Sequence, residues 1–189
     1  AGWPITREIA EALFIAVATD TGWFRFSNTS PAVMRLGADL LDFGLDANTI
    51  YQKVYQNDPP PRLALLGEML RTLQLFCGNR LAVVRITQDM YARTGSDPAD
   101  TEGLIDVPQS IGQVLVTVLI AERPGGGGMR LSLRSKGQVD VNAIAAQFGG
   151  GGHVRAAGAK VVGETFDSLT ARIAAAVERA LAAKPNLPR

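Results

Sequence analysis

Residues 147–161, QFGGGGHVRAAGAKV, join four consecutive glycines to the chain's single histidine, His153, then to Arg155 and the small residues Ala156, Ala157 and Gly158. Glycine admits positive φ and lets a ligand approach the backbone with no Cβ in the way. Successive N–H groups in such a loop can converge on an anion, and a helix start after it would add positive potential. His153 and Arg155 add side-chain donors directly after the run. Phosphate suits all of these features together. The competing reading is a bare glycine linker beside a solvated histidine. The chain does hold such a linker, PGGGG at 124–128, but without donor side chains. A second candidate is SLRSKG at 132–137, where Arg134 sits between Ser132 and Ser135 at the end of a predicted strand. A guanidinium there fits a bidentate phosphate contact. A solvated edge-strand arginine is the alternative.

These residues need a scaffold, and the composition can supply one. The chain has 189 residues, is 47% hydrophobic and carries a net charge of +1. That length allows one large domain or two small ones. A near-neutral chain does not attract polyanions as a whole, so any phosphate site is a local cluster of cations. The lone Cys77 cannot form an internal disulfide, which points to a reducing, cytoplasmic setting. It reads as a small hydrophobe at a helix end. The longest apolar run, VLVTVLIA at 114–121, is far below the ~20 residues that span a bilayer, and its β-branched content predicts a buried strand.

The pattern predicts helices first. Thr6 caps one running to about residue 18, with Ile9, Ala12, Leu13, Ala16 and Val17 as its apolar stripe. Asp20, Thr21 and Gly22 break it, and WFRFSNTSP comes next as a loop or short strand. Ser30-Pro31 opens a second helix that Gly44 stops, and Asp46 caps a third. NDPPPR at 57–62 marks a boundary, because three prolines cannot continue a helix. A connector helix is predicted over 62–76. Beyond it the pattern gives a strand (RLAVVRIT), a short helix (QDMYART), a polar loop, two strands joined by PGGGG, a helix capped by Asp140, a strand at AKVVG and a last amphipathic helix from Phe166 to about residue 183. The expected class is α/β, in two pieces joined by a helix: 1–57, 58–78 and 79–189.

SLRS and then VDVNAIAAQFGGGGHVRAAGAKV resemble the DHH-associated domain of DHH-family phosphoesterases. ATDTGWFRFSNTS at 18–30 resembles the last part of the DHH catalytic domain in the same proteins. The likeness covers nearly the whole chain in order and spacing, and is closest to the oligoribonuclease and 3′,5′-bisphosphate nucleotidase subgroup. It implies hydrolysis of short oligonucleotides or nucleotide phosphates at a two-manganese site, which activates water and stabilises charge on phosphorus. It implies that Asp20, in DTG, is a metal ligand and that Arg25 and Asn28 line the catalytic cleft. In the associated domain it implies substrate binding by Arg134, Ser135, Gly150, Gly151, Gly152 and His153. It further implies two domains that close over substrate about the connector helix and a homodimer of the longer protein, while the short apolar runs predict no membrane partner.

The earlier DHH motifs are missing, including Asp-His-His itself. One aspartate cannot hold two metals. The expectation is therefore a C-terminal piece of an enzyme, or a natural form that has lost catalysis, and a chain inactive by itself. The alternatives are a non-catalytic nucleic-acid-binding module, a domain type also found in alanyl-tRNA synthetase-like proteins, and part of a cyclic-dinucleotide phosphodiesterase or a RecJ-type exonuclease.

Overall fold

The chain divides at the proline segment into two compact units, Ala1–Asp58 and Pro59–Arg189. The structure is a computed structural model that describes residues 4–183; the ends of the expected pieces, at 1–3 and 184–189, lie outside the described residues.

The described part of the first unit is helical: α1 (Arg7–Asp20), α2 (Pro31–Leu41) and α3 (Ala47–Tyr55). Each start is capped by a side-chain oxygen accepting a backbone N–H, from Thr6, Ser30 and Asp46 respectively. The core is Ala10, Phe14 and Ala18 of α1 with Leu40 and Ile50. This corrects the expected stripe of α1. Ile9 and Leu13 are 45% and 43% exposed; a strict spacing of four from Ala10 sets the covered face instead. Phe14 anchors that face because its ring meets Trp23 edge-on at 5.9 Å and Phe24 at 6.1 Å. Trp23 in turn lies 5.0 Å from Tyr51 and 5.7 Å from Tyr55.

The second unit is built on a six-stranded sheet, ordered β1-β2-β3-β4-β6-β5. Its elements run α4 (Pro60–Arg71), β1 (Gln74–Phe76), β2 (Leu81–Ile86), α5 (Gln88–Thr94), α6 (Asp106–Gln109), β3 (Val116–Glu122), β4 (Met129–Ser135), α7 (Val141–Ala146), β5 (Gly151–His153), β6 (Ala156–Val161) and α8 (Phe166–Ala182). A 3₁₀ turn, Pro98–Thr101, lies between α5 and α6. Among the described residues only β2 and β3 pair in parallel; the other neighbours are antiparallel.

Residues 116–121 of β3 are buried without interruption. A strand covered on both faces reads as a continuous apolar run. On one face α7 and α8 pack against Val118, Leu131, Leu133 and Ala159, with Leu169, Ile173, Val177 and Leu181 forming the stripe of α8. On the other face Leu65 and Met69 of α4 and Met90 and Tyr91 of α5 cover Val84, Ile86 and Leu119. That cover lies over β2 and β3. Across β4, β6 and β5 the same face carries short and charged side chains.

The expected helix over 62–76 is shorter and starts earlier, because the chain leaves it at Arg71 and folds back as β1 on β2. The reversal is made by Cys77, Gly78 and Asn79, all left-handed at φ 53, 64 and 65. Cys77 thus sits half-buried in a strand turn, not at a helix end, with its Sγ 3.6 Å from the Ala174 carbonyl.

Candidate functional site

Strand β4 alternates. Met129, Leu131, Leu133 and Ser135 are buried, while Arg130, Ser132 and Arg134 stand on the less covered face. Antiparallel register carries this face across the sheet, since directly opposed residues share a side. Arg134 is opposite Ala156, which is opposite His153; Ser132 is opposite Gly158, which is opposite Gly151; Arg130 is opposite Lys160. The result is a floor of small residues with cations along it.

A cavity of about 460 Å³ opens on this floor. Arg130, Arg134 and Lys160 line it, with Ser132, Gly150 and Gly158 beneath. Arg134 is half-buried and donates from Nη1 to the Leu133 carbonyl at 3.2 Å. Arg130 donates from Nη2 to Thr101 Oγ1 at 2.7 Å, which fixes the loop that forms one wall. Nearby Lys136 is used structurally, donating to the Ile111 carbonyl at 2.7 Å.

The glycine run reaches the cavity in a different way from the sequence expectation. Gly149 N–H donates to Ala146 O at 3.1 Å and Gly150 N–H to Ala145 O at 3.0 Å. With Gly149 at φ +72, these bonds end α7 as a left-handed cap. The first two N–H groups of the run are therefore engaged, and the chain continues into strand β5 instead of starting a helix. The glycines serve close approach. A Cβ on Gly150 would fall 2.1 Å from Gly158 O, and one on Gly152, at φ +151, 2.5 Å from Ala156 O.

The cavity thus brings together Arg134 and Gly150 of the expected set. Gly151, Gly152 and His153 are exposed on the adjoining edge strand. His153 shares a row with Arg134, two strands away, roughly 10 Å between backbones at the usual strand spacing. Ser135 lies on the opposite face. It is buried, and its Oγ accepts from Gly137 N–H at 3.0 Å and Val139 N–H at 3.4 Å, so it shapes a turn. Sequence reading missed Arg130 and Lys160. The alternation of MRLSLRS already placed Arg130 on Arg134's side.

Asp20, Arg25 and Asn28 belong to the first unit and form a group of their own. Asn28 Nδ2 donates to Asp20 Oδ2 at 2.9 Å, and Arg25 Nε donates to Gly22 O at 2.7 Å. Trp23 and Phe24 between them hold φ of 59 and 61. That conformation costs L-residues about 1–2 kcal/mol each, and the packed rings keep it in place. Among the described residues no group of three His, Cys, Asp or Glu side chains could hold a metal ion. Asp20, with its carboxylate turned to Asn28, is one donor where a two-metal site needs several. The described residues do not fit the manganese pair.

No described helix is long and apolar enough to cross a membrane. Residues 78–179 match the family model of the DHHA1 domain. The chain is 36% identical to the bifunctional oligoribonuclease and PAP phosphatase NrnA of Thermus thermophilus over 176 residues, covering 93% of this chain and 52% of that protein. It is 26% identical to the NrnA of Bacillus subtilis over 160 residues, 85% of this chain and 50% of the relative. An exopolyphosphatase-related protein from Bacteroides fragilis superposes with a TM-score of 0.87 at 28% identity, over 94% of this chain and 53% of that one. The chain spans about half the length of the curated relatives it matches. On the family match and the sheet that bears it, the chain belongs to the DHHA1 domain family.

Proposed function

We propose that this chain is the substrate-holding part of a DHH-family phosphoesterase acting on short oligonucleotides or nucleotide phosphates. The observation that carries the reading is the convergence of Arg130, Arg134 and Lys160 on one cavity floored by Ser132, Gly150 and Gly158. A guanidinium presents a planar fork to phosphate, and an ammonium adds a point charge. The small residues let a sugar or base lie against the backbone. The likeness to oligoribonuclease and PAP phosphatase proteins supports the choice of a nucleotide ligand.

The chain's own residues bind and orient. Arg134 takes the phosphate, and Arg130 keeps the cavity wall in place while adding charge. His153, in Arg134's row, is positioned to donate to a ligand that extends past the cavity. No hydrolytic step is assigned to this chain, because Asp20 alone does not make the implied metal pair. The chain by itself binds without turnover. Isothermal titration with a 5′-phosphorylated dinucleotide tests the binding, and a manganese-supplemented hydrolysis assay on the same ligand tests the lack of turnover. Saturable binding without product is expected. Turnover abolished by Asp20→Asn would overturn the inactivity. An affinity that keeps growing with strand length, with a steep salt dependence, would favour a nucleic-acid-binding module instead.

A further inference from the structure

One wall of the cavity is the loop around the 3₁₀ turn, and it contributes Glu102, the one acidic side chain among the described residues that line the cavity. The loop is fastened on both sides of that residue. Asp97 and Asp100 close a reciprocal capping box. Arg62 donates from Nη1 to the Asp100 carbonyl. Thr101 is buried at 3% exposure and accepts from Arg130. Gly103, at φ +72, turns the chain back. Glu102 itself is exposed, and among the described residues its carboxylate pairs with no cation. A carboxylate on a rigid base, beside cations it does not neutralise, is placed to meet a ligand.

Its place along the cavity comes from the register. Glu102 adjoins Thr101, which is held at Arg130, and Arg130 stands four residues from Arg134 on the same strand. At strand rise that is roughly 13 Å between backbones. A ligand that runs along β4 with its phosphate on Arg134 brings its nucleoside end to Glu102. An ionised carboxylate only accepts hydrogen bonds. We propose that Glu102 is a specificity-determining residue that accepts hydrogen bonds from nucleoside donors at the end of the cavity away from Arg134, selecting donor-bearing nucleotides. This rests on the cavity holding a nucleotide, the function proposed for the chain. The two donor sets that Glu102 would select are the adjacent N1–H and 2-amino group of a guanine edge, which match both carboxylate oxygens, and the ribose 2′-hydroxyl.

The test is titration of GMP, IMP and dGMP into wild type, Glu102→Gln and Glu102→Asp. IMP lacks the 2-amino group and dGMP the 2′-hydroxyl, so the two ratios to GMP separate the sources. Ratios are read because removing a negative charge raises the affinity of every anion together. Wild type should favour GMP about tenfold in one ratio, the size of a charged hydrogen bond lost. Glu102→Gln should bring that ratio close to one, and Glu102→Asp should keep part of it. Ratios near one in wild type, or unchanged in Glu102→Gln, overturn the proposal while leaving nucleotide binding intact. Absence of binding by all three ligands to wild type overturns the nucleotide reading and this inference with it.

Discussion

A methyl group at Gly150 would stand 2.1 Å from the carbonyl oxygen of Gly158, whereas one at Gly151 would meet nothing nearer than Asn142 Oδ1 at 3.6 Å. Two neighbouring glycines thus make opposite demands. Gly150→Ala forces the end of α7 away from β6 and is expected to lower stability by about 1–3 kcal/mol, the usual range for overpacking. Gly151→Ala is expected to stay within about 0.5 kcal/mol of wild type, as exposed sites do. Urea midpoints of the two variants, measured side by side, check this. Equal losses would contradict the close approach.

Phe14 is the hub of the first unit. It is 2% exposed and touches both Trp23 and Phe24, whose left-handed backbones form the turn after Asp20. Phe14→Ala should destabilise that unit by about 3–5 kcal/mol. Hydrogen exchange should quicken in α1 and α3 and stay slow in β2 and β3. Uniform quickening across both sets would show that the two cores do not open separately.

The boundary at the prolines gives a second test of the two units. Tyr55 ends α3, Pro60 begins α4, and residues 57–59 between them are exposed and irregular. Limited proteolysis should cut first there, where backbone is accessible, and leave a folded fragment starting near Pro59. A first cut within β3 would contradict the division.

The Cys77 thiol is pushed up from its ordinary value chiefly by burial, with the Glu178 carboxylate adding to the shift and Arg80 opposing it. Its thiolate fraction at neutral pH is therefore below that of a free thiol, and alkylation by iodoacetamide should be slower than for free cysteine. Arg80→Gln should move the rate-against-pH profile further upward and Glu178→Gln should move it downward. A profile matching free cysteine in all three proteins would contradict this environment.

Much of the scaffold was legible because its signals are local. Thr6, Ser30, Asp46 and Asp140 cap helices where the sequence placed them, and β3 and β4 arise from apolar run and alternation. What failed depends on tertiary context. The covered face of α1 is chosen by the rings around Phe14, and the early end of α4 by β2, which offers residues 74–76 a partner. The same holds for the site. Arg134 and Gly150 could be named from motif likeness, but Lys160 enters the cavity only through its register opposite Arg130, and Glu102 only through a loop closed by Arg62 and Arg130. Ser135 differs for a simpler reason: next to Arg134 in a strand, it faces the other way.

The Arg134 cavity is proposed to hold a nucleotide phosphate. Titration of a 5′-phosphorylated dinucleotide into wild type, Arg134→Ala and Lys160→Ala tests it most directly, with urea midpoints to show that the variants fold. A charge-assisted contact to phosphate is worth about 1.5–3 kcal/mol, so Arg134→Ala should weaken binding roughly tenfold to hundredfold. Lys160→Ala should weaken it by less, as a single point charge in partly open surroundings. Wild-type binding that both folded variants reproduce unchanged, or no binding by the wild type, would contradict the claim.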